Sequence, residues 1–570
     1  MENLMRRNFP IFLILVACLL VPLKTVSAQD LTDNVSRRIS ERIQMKLTQA
    51  ARGITLHHGS SLLPRFYVNR AYAPAWIGMS GPLPRALALA EAVGNASMEG
   101  LTANDYHSET IAALMSRIAA DKAMGAVSPD QAADLDLVLT DAFLTYASHL
   151  LSGRVNPEEL QSEWYIKGRK RDLLKVLETA LMQDSVEETL VSLKPPHSGY
   201  EKLAAALSHY RDIVRKGGWP QLSPGPLLKR GDRGARVKEL RAFLLATGDH
   251  PASTEKVKSR RFEEDLETGV MQFQSRHGLK VDGAVGPATL RAMAVPAAER
   301  LQQIEVNMER WRWLPAEFGE RNVQVNIAGF TLSVIENDFT LMSMRAIVGK
   351  DFQKTPVFSG RITDVELNPY WNIPSSIAST EMIPEIRKDR AYLAKNKIRV
   401  YRGWGPSARR INPSSINWSK VTGKNLPFRL RQDPGPKNPL GAVKFLFPNK
   451  YDVYVHGTPF HGLFERDSRG FSHGCIRIES PVELAEYLLH DPADWSSESL
   501  FAAIKSGKNL SIRLSDPVPV HILYFTAWVD ETGTVHFRDD VYGHDDILAR
   551  ALGEPLLAGE QIGPTSADEK

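Results

Sequence analysis

The sequence predicts a multidomain α+β protein, with a helical first half and a mainly β second half. Its 570 residues exceed what one hydrophobic core usually serves, so several domains are expected. Apolar residues recur at helical spacing early in the chain, as in Leu135, Leu139 and Phe143. From Val323 they alternate instead, continuing at Val325, which is the period of a half-buried strand. We therefore expect helices to give way to a sheet shortly before Val323.

The composition is that of a folded protein without a strong charge preference. Hydrophobic residues make up 43% and charged residues 24%, and 70 Lys+Arg against 66 Asp+Glu leave a net charge of +4. The chain has no long basic block, so the charge pattern of a nucleic-acid binder is missing. We expect no nucleic acid, no cofactor and no obligate protein partner.

Residues 1–28 are predicted to be a cleaved signal peptide. Two arginines precede an apolar run, Phe9–Leu23, and small residues lead to Ala28. An uncleaved membrane anchor and a lipoprotein modified at Cys18 are the alternatives. No later stretch approaches the roughly 20 apolar residues of a membrane helix, so we expect a mature chain that is soluble or tethered only at its N-terminus.

The rest of the chain is divided into domains where the hydrophobic periodicity changes and at a proline-rich segment. No cluster of acid/base or metal-binding residues stands out in the first helical part, so we assign it no chemistry. Asn337-Asp338 is expected to be a hairpin turn. The predicted parts are, in order, a helical scaffold (29–219), a three-helix unit (220–297), a connecting helix (298–321), a mainly β domain (322–515) with an inserted segment (about 376–436), and a C-terminal extension (516–570).

Two residues of the β domain are suited to nucleophilic catalysis. The strand before His456 delivers an imidazole, and the loop Ser472-His473-Gly474 delivers Cys475. Cleavage of the leader would leave Cys475 as the single thiol of the chain. A free thiol has a pKa of about 8.5, and a nearby imidazole favours its nucleophilic thiolate. We expect the N–H groups of Gly474 and Cys475 to hold a developing oxyanion.

Two stretches of the chain resemble known families. Residues 228–232, 270–279 and 281–290 resemble a type 1 peptidoglycan-binding domain, although such a module also serves merely by packing against its neighbours. His456, the motif from Ser472 to Cys475 and the polar Arg477 resemble the L,D-transpeptidase catalytic domain, or YkuD domain.

The segments Asn368–Pro374 and Asn438–Phe445 are typical of the large, multidomain proteobacterial L,D-transpeptidases. The resemblance therefore implies a helical scaffold, a peptidoglycan-binding module and a mainly β catalytic domain whose inserted segment is a lid over the catalytic groove. It also implies the periplasm of a Gram-negative bacterium.

The implied reaction has two steps. Cys475 attacks the bond between the L-centre and the terminal D-residue of a tetrapeptide stem, and D-alanine leaves. An amine at the D-centre of diaminopimelate on a second stem then resolves the acyl-enzyme into a 3→3 cross-link, with His456 exchanging protons. By the same resemblance, carbapenems are expected to acylate Cys475.

The expected partners are peptidoglycan stem peptides and glycan. Arg477 is a candidate anchor for a stem carboxylate, with a structural ion pair as its alternative. Ser472 and His473 are candidate oxyanion or substrate-binding residues. His473 is also a second candidate base, although a positioning role is the favoured one for it. Tyr370 and Trp371 are candidate substrate contacts, as is Trp404, although aromatic packing is the commoner role.

Several alternatives stay open at this stage. A zinc peptidase would use His456, His461 and His473, but a helical His-Glu-x-x-His arrangement is missing. A papain-like peptidase presents its cysteine before its histidine, and a catalytically silent wall-binding protein would keep only the helical parts. Within the transpeptidase hypothesis, water or a protein lysine could replace the second stem. Gly457 offers His456 no side chain for orientation, so a backbone carbonyl is a possible substitute.

Overall fold

The structure, a computed structural model, describes residues 28–50, 62–123, 127–161, 163–250, 259–403, 407–422, 426–489 and 495–553. The predicted leader with Cys18 lies outside the described residues apart from Ala28, and Trp404 lies outside them too. None of the described helices combines the length and apolarity needed to cross a membrane.

Helices dominate the first half of the chain and strands most of the second. The helices are α1 (Ala28–Ala50), α2 (Leu63–Asn69), α3 (Pro84–Gly94), α4 (Ser108–Ala123), α5 (Pro129–Ser152), α6 (Pro157–Leu160), α7 (Leu173–Gln183), α8 (Val186–Ser192), α9 (Ser198–Arg215), α10 (Ala235–Ala246), α11 (Glu264–Arg276), α12 (Pro287–Ala294), α13 (Ala297–Arg312), α14 (Ser375–Ile377), α15 (Ile383–Lys388), α16 (Tyr392–Lys395), α17 (Pro481–Leu489), α18 (Ser497–Lys505) and α19 (His544–Gly553). The strands are β1 (Ile77–Gly78), β2 (Gly81–Pro82), β3 (Arg321–Asn326), β4 (Thr331–Glu336), β5 (Phe339–Gly349), β6 (Phe358–Leu367), β7 (Trp371–Ile373), β8 (Ile398–Arg402), β9 (Arg409–Ile411), β10 (Arg429–Gln432), β11 (Val443–Leu446), β12 (Val455–His456), β13 (Gly470–Ser472), β14 (Ile476–Ile478), β15 (Leu510–Leu523), β16 (Ala527–Val529) and β17 (Val535–Phe537).

The N-terminal helices pack around α5, which is buried along most of its length. A carboxylate lies inside this core: Asp136 is fully buried and accepts hydrogen bonds from the Tyr67 hydroxyl at 2.6 Å and from the Ala75 and Trp76 backbone N–H groups at 2.9 and 2.8 Å. A buried charge needs such partners to offset the loss of water. Asp136 therefore ties the chain between α2 and α3 to α5.

The helix α13 is buried on several sides and joins the parts of the molecule. Its Glu309 carboxylate accepts a hydrogen bond from the Val155 N–H at 2.9 Å and pairs with Arg312 at 2.7 Å. Its Arg310 pairs with Asp545 of α19 at 2.6 Å. The predicted connecting helix is therefore a buried element that links the scaffold at Val155 to the C-terminal helix α19.

The large sheet of the described chain has the strand order β13-β5-β14-β12-β11-β6-β15-β3-β4. Because β4 also pairs with β5, the strands from β5 round to β4 close on themselves. Buried side chains alternate along these strands and fill the interior, as at Val323, Val325 and Leu332. The predicted α+β class, helical first and mainly β afterwards, is confirmed.

A second sheet, in the order β7-β10-β8-β9, belongs to the inserted lid, which has its own hydrophobic core around Ile383, Trp418 and Leu430. The lid sheet starts with β7 at Trp371, ahead of the position near 376 expected from the sequence, because β7 pairs with β10. The expected start of a C-terminal extension at 516 falls inside β15, which pairs with β6 and β3.

Candidate active site

The short strand β12 brings the candidate residues onto one face of the sheet. It lies between β11 and β14, with Lys444 and Arg477 as the register partners of His456 on either side. Side chains two residues apart on a strand share a face. Just before β12, the Tyr454 ring centre lies 5.5 Å from that of His456, and just before β14, Cys475 lies close enough to Tyr454, Lys444 and Arg477 for them to act on its thiol. The two predicted catalytic residues, His456 and Cys475, thus lie close to each other on neighbouring segments of the chain.

The Cys475 sulfur sits against the start of β12. It is partly exposed, and its thiol donates to the Asp452 carbonyl oxygen at 3.7 Å. Burial of the sulfur raises the pKa of the thiol, while hydrogen bonds from Tyr454 and the charges of Lys444 and Arg477 oppose that rise. The resting cysteine is therefore a protonated thiol at neutral pH.

The His456 imidazole is buried and held by a backbone group. Its Nδ1 lies 2.6 Å from the Gly457 carbonyl oxygen, so Nδ1 carries the hydrogen and donates it. Burial and the neighbouring Arg477 charge lower the pKa of His456 to about 3. The ring is therefore neutral at physiological pH, with its Nδ1 held by the Gly457 carbonyl. The orienting partner left open by the sequence is the carbonyl of the next residue.

His456 and Cys475 share a face without a direct bond. Among the hydrogen bonds of the described residues, none joins the imidazole to the sulfur. The thiol is directed towards Asp452 instead. A direct contact between the two side chains would therefore need the Cys475 side chain to leave the Asp452 carbonyl.

The catalytic loop is a tight turn that depends on glycine. Gly474 has φ +110°, a backbone conformation that favours glycine. Its carbonyl accepts a hydrogen bond from the Thr355 hydroxyl at 2.8 Å, and its N–H donates to the Ser472 hydroxyl at 3.1 Å. The Ser472 hydroxyl in turn donates to the Cys475 carbonyl at 2.5 Å.

These bonds alter the expected source of oxyanion donors. The Gly474 N–H was expected to face the oxyanion, but the Ser472 side chain folds back over the turn and occupies it. No hydrogen bond among the described residues uses the Cys475 amide. The Cys475 N–H is therefore the free donor of the loop, and Ser472 is a residue that shapes the turn.

Arg477 brings a cation without a counter-ion to this face. Its guanidinium forms no hydrogen bond or ion pair within the described residues, and its Nε is buried without a partner. Burial lowers the pKa of Arg477, while the nearby Cys475, Tyr454 and Glu381 oppose that fall. An unpaired guanidinium is suited to a carboxylate ligand.

The two aromatic residues predicted as substrate contacts, Trp371 and Tyr370, lie in different places. Burial raises the pKa of Tyr454, and a hydrogen bond from the Trp371 side chain opposes that rise, so Trp371 adjoins the site. Tyr370 instead packs under the Arg431 guanidinium, 4.1 Å from the ring centre. It lines a cavity of about 890 Å³ between the lid and residues 507–509, and Cys475 is not among the lining residues.

Three site residues escaped the sequence analysis: Tyr454, Lys444 and Glu381. Tyr454 was detectable, because it lies two residues before His456 in the alternating segment that the sequence predicts to be a strand. Lys444 follows from strand pairing with His456, which the sequence does not give. Glu381 belongs to the lid, and its carboxylate lies 2.7 Å from the His473 Nε2. No local pattern connects those two positions.

The histidines do not assemble into a metal centre. Across the described ranges, no group of three or more His, Cys, Asp or Glu side chains is arranged to hold a metal ion. His473 faces Glu381, while His456 is turned to the Gly457 carbonyl. The zinc-peptidase arrangement of His456, His461 and His473 is therefore not formed by these residues.

Family comparisons match three parts of the chain. Residues 61–207 match a scaffold domain, residues 233–293 match a family described as "Putative peptidoglycan binding domain", and residues 320–520 match the L,D-transpeptidase catalytic domain YkuD. The third range contains both His456 and Cys475.

Among curated proteins, a "Putative L,D-transpeptidase" of Haemophilus influenzae is 32% identical over 244 residues, covering 43% of this chain and 48% of the relative. The N-acetylmuramoyl-L-alanine amidase CwlM of Mycobacterium tuberculosis is 41% identical over 80 residues, 13% of this chain and 20% of that protein. The chain thus spans about half the length of the first relative and a fifth of the second.

Two solved L,D-transpeptidase structures also match, from Xylanimonas cellulosilytica and Stackebrandtia nassauensis. Each is 13% identical and covers 53% of this chain, with 98% and 96% of the solved chains covered and TM-scores of 0.17 and 0.19. Scores this low carry no argument about this chain. Residues 320–520 are therefore similar to the L,D-transpeptidase catalytic domain, and residues 233–293 are similar to a peptidoglycan-binding domain.

Proposed function

We propose that this protein is a peptidoglycan L,D-transpeptidase that forms 3→3 cross-links through an acyl-enzyme on Cys475. One observation carries the proposal: the Cys475 thiol and the His456 imidazole, whose Nδ1 is held by the Gly457 carbonyl, lie together beside the Arg477 guanidinium, whose buried Nε has no partner among the described residues. A neutral base next to a thiol suits general-base catalysis, since the proton moves as the carbon–sulfur bond forms.

In the first step, the Cys475 sulfur attacks the carbonyl carbon of the L,D bond of a tetrapeptide stem, and the His456 Nε2 takes the thiol proton. The Cys475 N–H donates to the oxyanion. The tetrahedral intermediate collapses, the C–N bond breaks, and D-alanine leaves with the proton from His456. The product is a thioester between Cys475 and the shortened stem.

In the second step, an amine of a second stem attacks the thioester carbonyl, and His456 accepts a proton from that amine. Breaking the carbon–sulfur bond releases the cross-linked product, and the sulfur recovers its proton from His456. Water in place of the amine would give a trimmed stem, and a protein lysine would give a protein anchored to the stem. In both cases the same bonds break and the same proton transfers occur.

The cations near the sulfur support an anionic substrate. Among the described residues the Arg477 Nε has no partner, so binding a stem carboxylate there would satisfy both charges. Lys444 is largely buried, with its ammonium 4.1 Å from the Tyr454 ring centre. Both positive charges lower the pKa of Cys475, so they also stabilise the negative charge that develops on sulfur when the thioester breaks.

The proposal includes export to the periplasm of a Gram-negative bacterium, where peptidoglycan stems and glycan are the partners. The support is the predicted leader at residues 1–28 and the matched peptidoglycan-binding domain. That domain would keep the catalytic domain on its insoluble substrate by raising the local concentration of stems.

Mass spectrometry of purified muropeptides incubated with residues 29–570 tests the proposal. We expect an added stem mass on Cys475, release of D-alanine and a 3→3 linked product, all missing from the Cys475→Ala variant. A protein that binds the wall equally well with and without Cys475, and leaves cross-links unchanged, would instead be a wall-binding protein.

A further inference from the structure

The lid reaches the catalytic loop through a side-chain pair. The Glu381 Oε1 lies 2.7 Å from the His473 Nε2, and His473 immediately precedes Gly474 and Cys475. The two side chains keep 53% and 27% of their surface exposed, so the pair lies at the mouth of the site. A residue outside the matched motif therefore touches the segment that carries the nucleophile.

The backbone that carries Glu381 has an unusual shape. Residues Ala378–Met382 form a π-helical turn between α14 and α15. Pro384 follows it and has no N–H to continue an α-helical ladder, which accounts for the wider turn. Such turns occur frequently at functional sites. Here Met382 and Ile383 enter the lid core, while Glu381 emerges towards the catalytic loop.

The catalytic loop is held from below by the sheet and from above by the lid. Below, the Lys350 N–H donates to the Ser472 carbonyl at 3.1 Å, and the Thr355 hydroxyl donates to the Gly474 carbonyl at 2.8 Å. Above, Glu381 is the lid side chain that bonds His473. Releasing the upper contact would leave His473 free to turn, together with the peptide that leads to Gly474.

We propose that Glu381 is a positioning residue for transfer at Cys475: by holding His473, the lid fixes the loop that presents the sulfur and its free amide. This inference rests on the proposed function for the identity of the substrate. The positioning of the catalytic loop by Glu381 does not depend on that substrate. Docking of the lid and correct presentation of the nucleophile become one event, so an undocked lid leaves a poorly oriented thiol.

Glu381→Ala and Glu381→Gln test the proposal, with Glu385→Ala as the matched control. Glu385 lies one turn further along the lid and pairs with Lys388, so its loss removes the same charge without touching the loop. Two rates are measured on the full chain: alkylation of Cys475 by iodoacetamide, and D-alanine release from a disaccharide tetrapeptide over a range of concentrations. Hydrogen exchange of residues 470–478 is followed in parallel.

We expect Glu381→Ala to lower the maximal rate of D-alanine release about tenfold, the effect of losing one charge-assisted hydrogen bond. Hydrogen exchange in the loop should rise and the alkylation rate should change, with the unfolding temperature unaltered. Glu381→Gln, which keeps an acceptor for the His473 N–H, should recover part of the rate. Glu385→Ala should behave as the parent protein.

A double variant asks whether Glu381 acts through its partner. His473→Gln combined with Glu381→Ala should be no slower than the slower single variant. Additive losses, or Glu381→Ala rates equal to those of Glu385→Ala, would overturn the proposal. If the parent protein releases no D-alanine but alkylation and exchange respond to Glu381→Ala alone, the positioning role stands and the proposed substrate is wrong.

Discussion

The protonation state of His456 leads to a quantitative prediction about pH. Burial and Arg477 lower the pKa of this imidazole to about 3, against an ordinary value of 6.5. At pH 5 about 99% of the rings would then be neutral, compared with about 3% for an ordinary histidine. A reaction that needs the neutral base should therefore lose almost none of its rate between pH 7.5 and pH 5, instead of about 30-fold.

The assay is acylation of Cys475 by a carbapenem, followed by intact mass between pH 5 and pH 8. We expect a nearly flat rate for the parent protein and a large loss throughout the range for His456→Gln. His461→Gln, which changes a nearby histidine outside the proton-transfer pair, should give the parent profile. A rate that falls with a midpoint near pH 6.5 would refute the assignment of a buried, neutral imidazole as the base.

The same pKa shift has a consequence for stability. Since the folded-state pKa of His456 is depressed, only the unfolded chain gains a proton as the pH falls through 6.5. The free energy of unfolding is therefore unaffected by this group above pH 6.5. Below that pH it falls by about 1.4 kcal/mol per pH unit, until the pH reaches the folded-state pKa of about 3. Denaturant unfolding of the parent protein should therefore weaken towards pH 5 more than that of His456→Gln, and equal pH dependence of the two would contradict this.

Other substitutions have outcomes that separate catalysis from folding. Tyr454→Phe removes a hydrogen bond that lowers the pKa of the thiol, so the midpoint of its alkylation by iodoacetamide should move to higher pH; an unmoved midpoint would exclude the bond. Gly441→Ala should slow acylation at least tenfold and lower the unfolding temperature, because φ is +66° there and the new Cβ would lie 2.7 Å from the Gly457 carbonyl carbon. Gly462→Ala, in open space, is its control. Asp136→Ala should destabilise the protein by about 3 kcal/mol in calorimetry, with the acylation rate unchanged, since it strips buried N–H groups of their acceptor.

The elements that rest on local pattern were predictable. Alternation at Val323 and Val325 appears as β3, paired with β4 in register. Asn337 and Asp338 both have positive φ in the hairpin turn, as their short polar side chains allow. In these cases, residue type and spacing alone select the backbone conformation, and little depends on distant contacts.

The site was predictable in its identity but not in its hydrogen bonds. Motif spacing led to His456 and Cys475, yet the sulfur is directed to Asp452 and the Gly474 N–H to Ser472. Those choices depend on side-chain rotamers within a turn, which spacing does not determine. The Glu381 contact depends on how a separately folded lid docks, so it was beyond any local pattern.

The position of β15 in the sheet has a consequence for how the catalytic domain folds. This strand pairs with β6 in antiparallel fashion and with β3 in parallel fashion, so it joins these two strands and closes the ring. It is also the last strand of that ring in chain order. The ring cannot close until nearly all of the polypeptide has emerged, and such sequence-distant pairing makes assembly slow. Nascent chains shorter than about 523 residues should therefore carry the Cys475 thiol but lack the closed ring of strands around it.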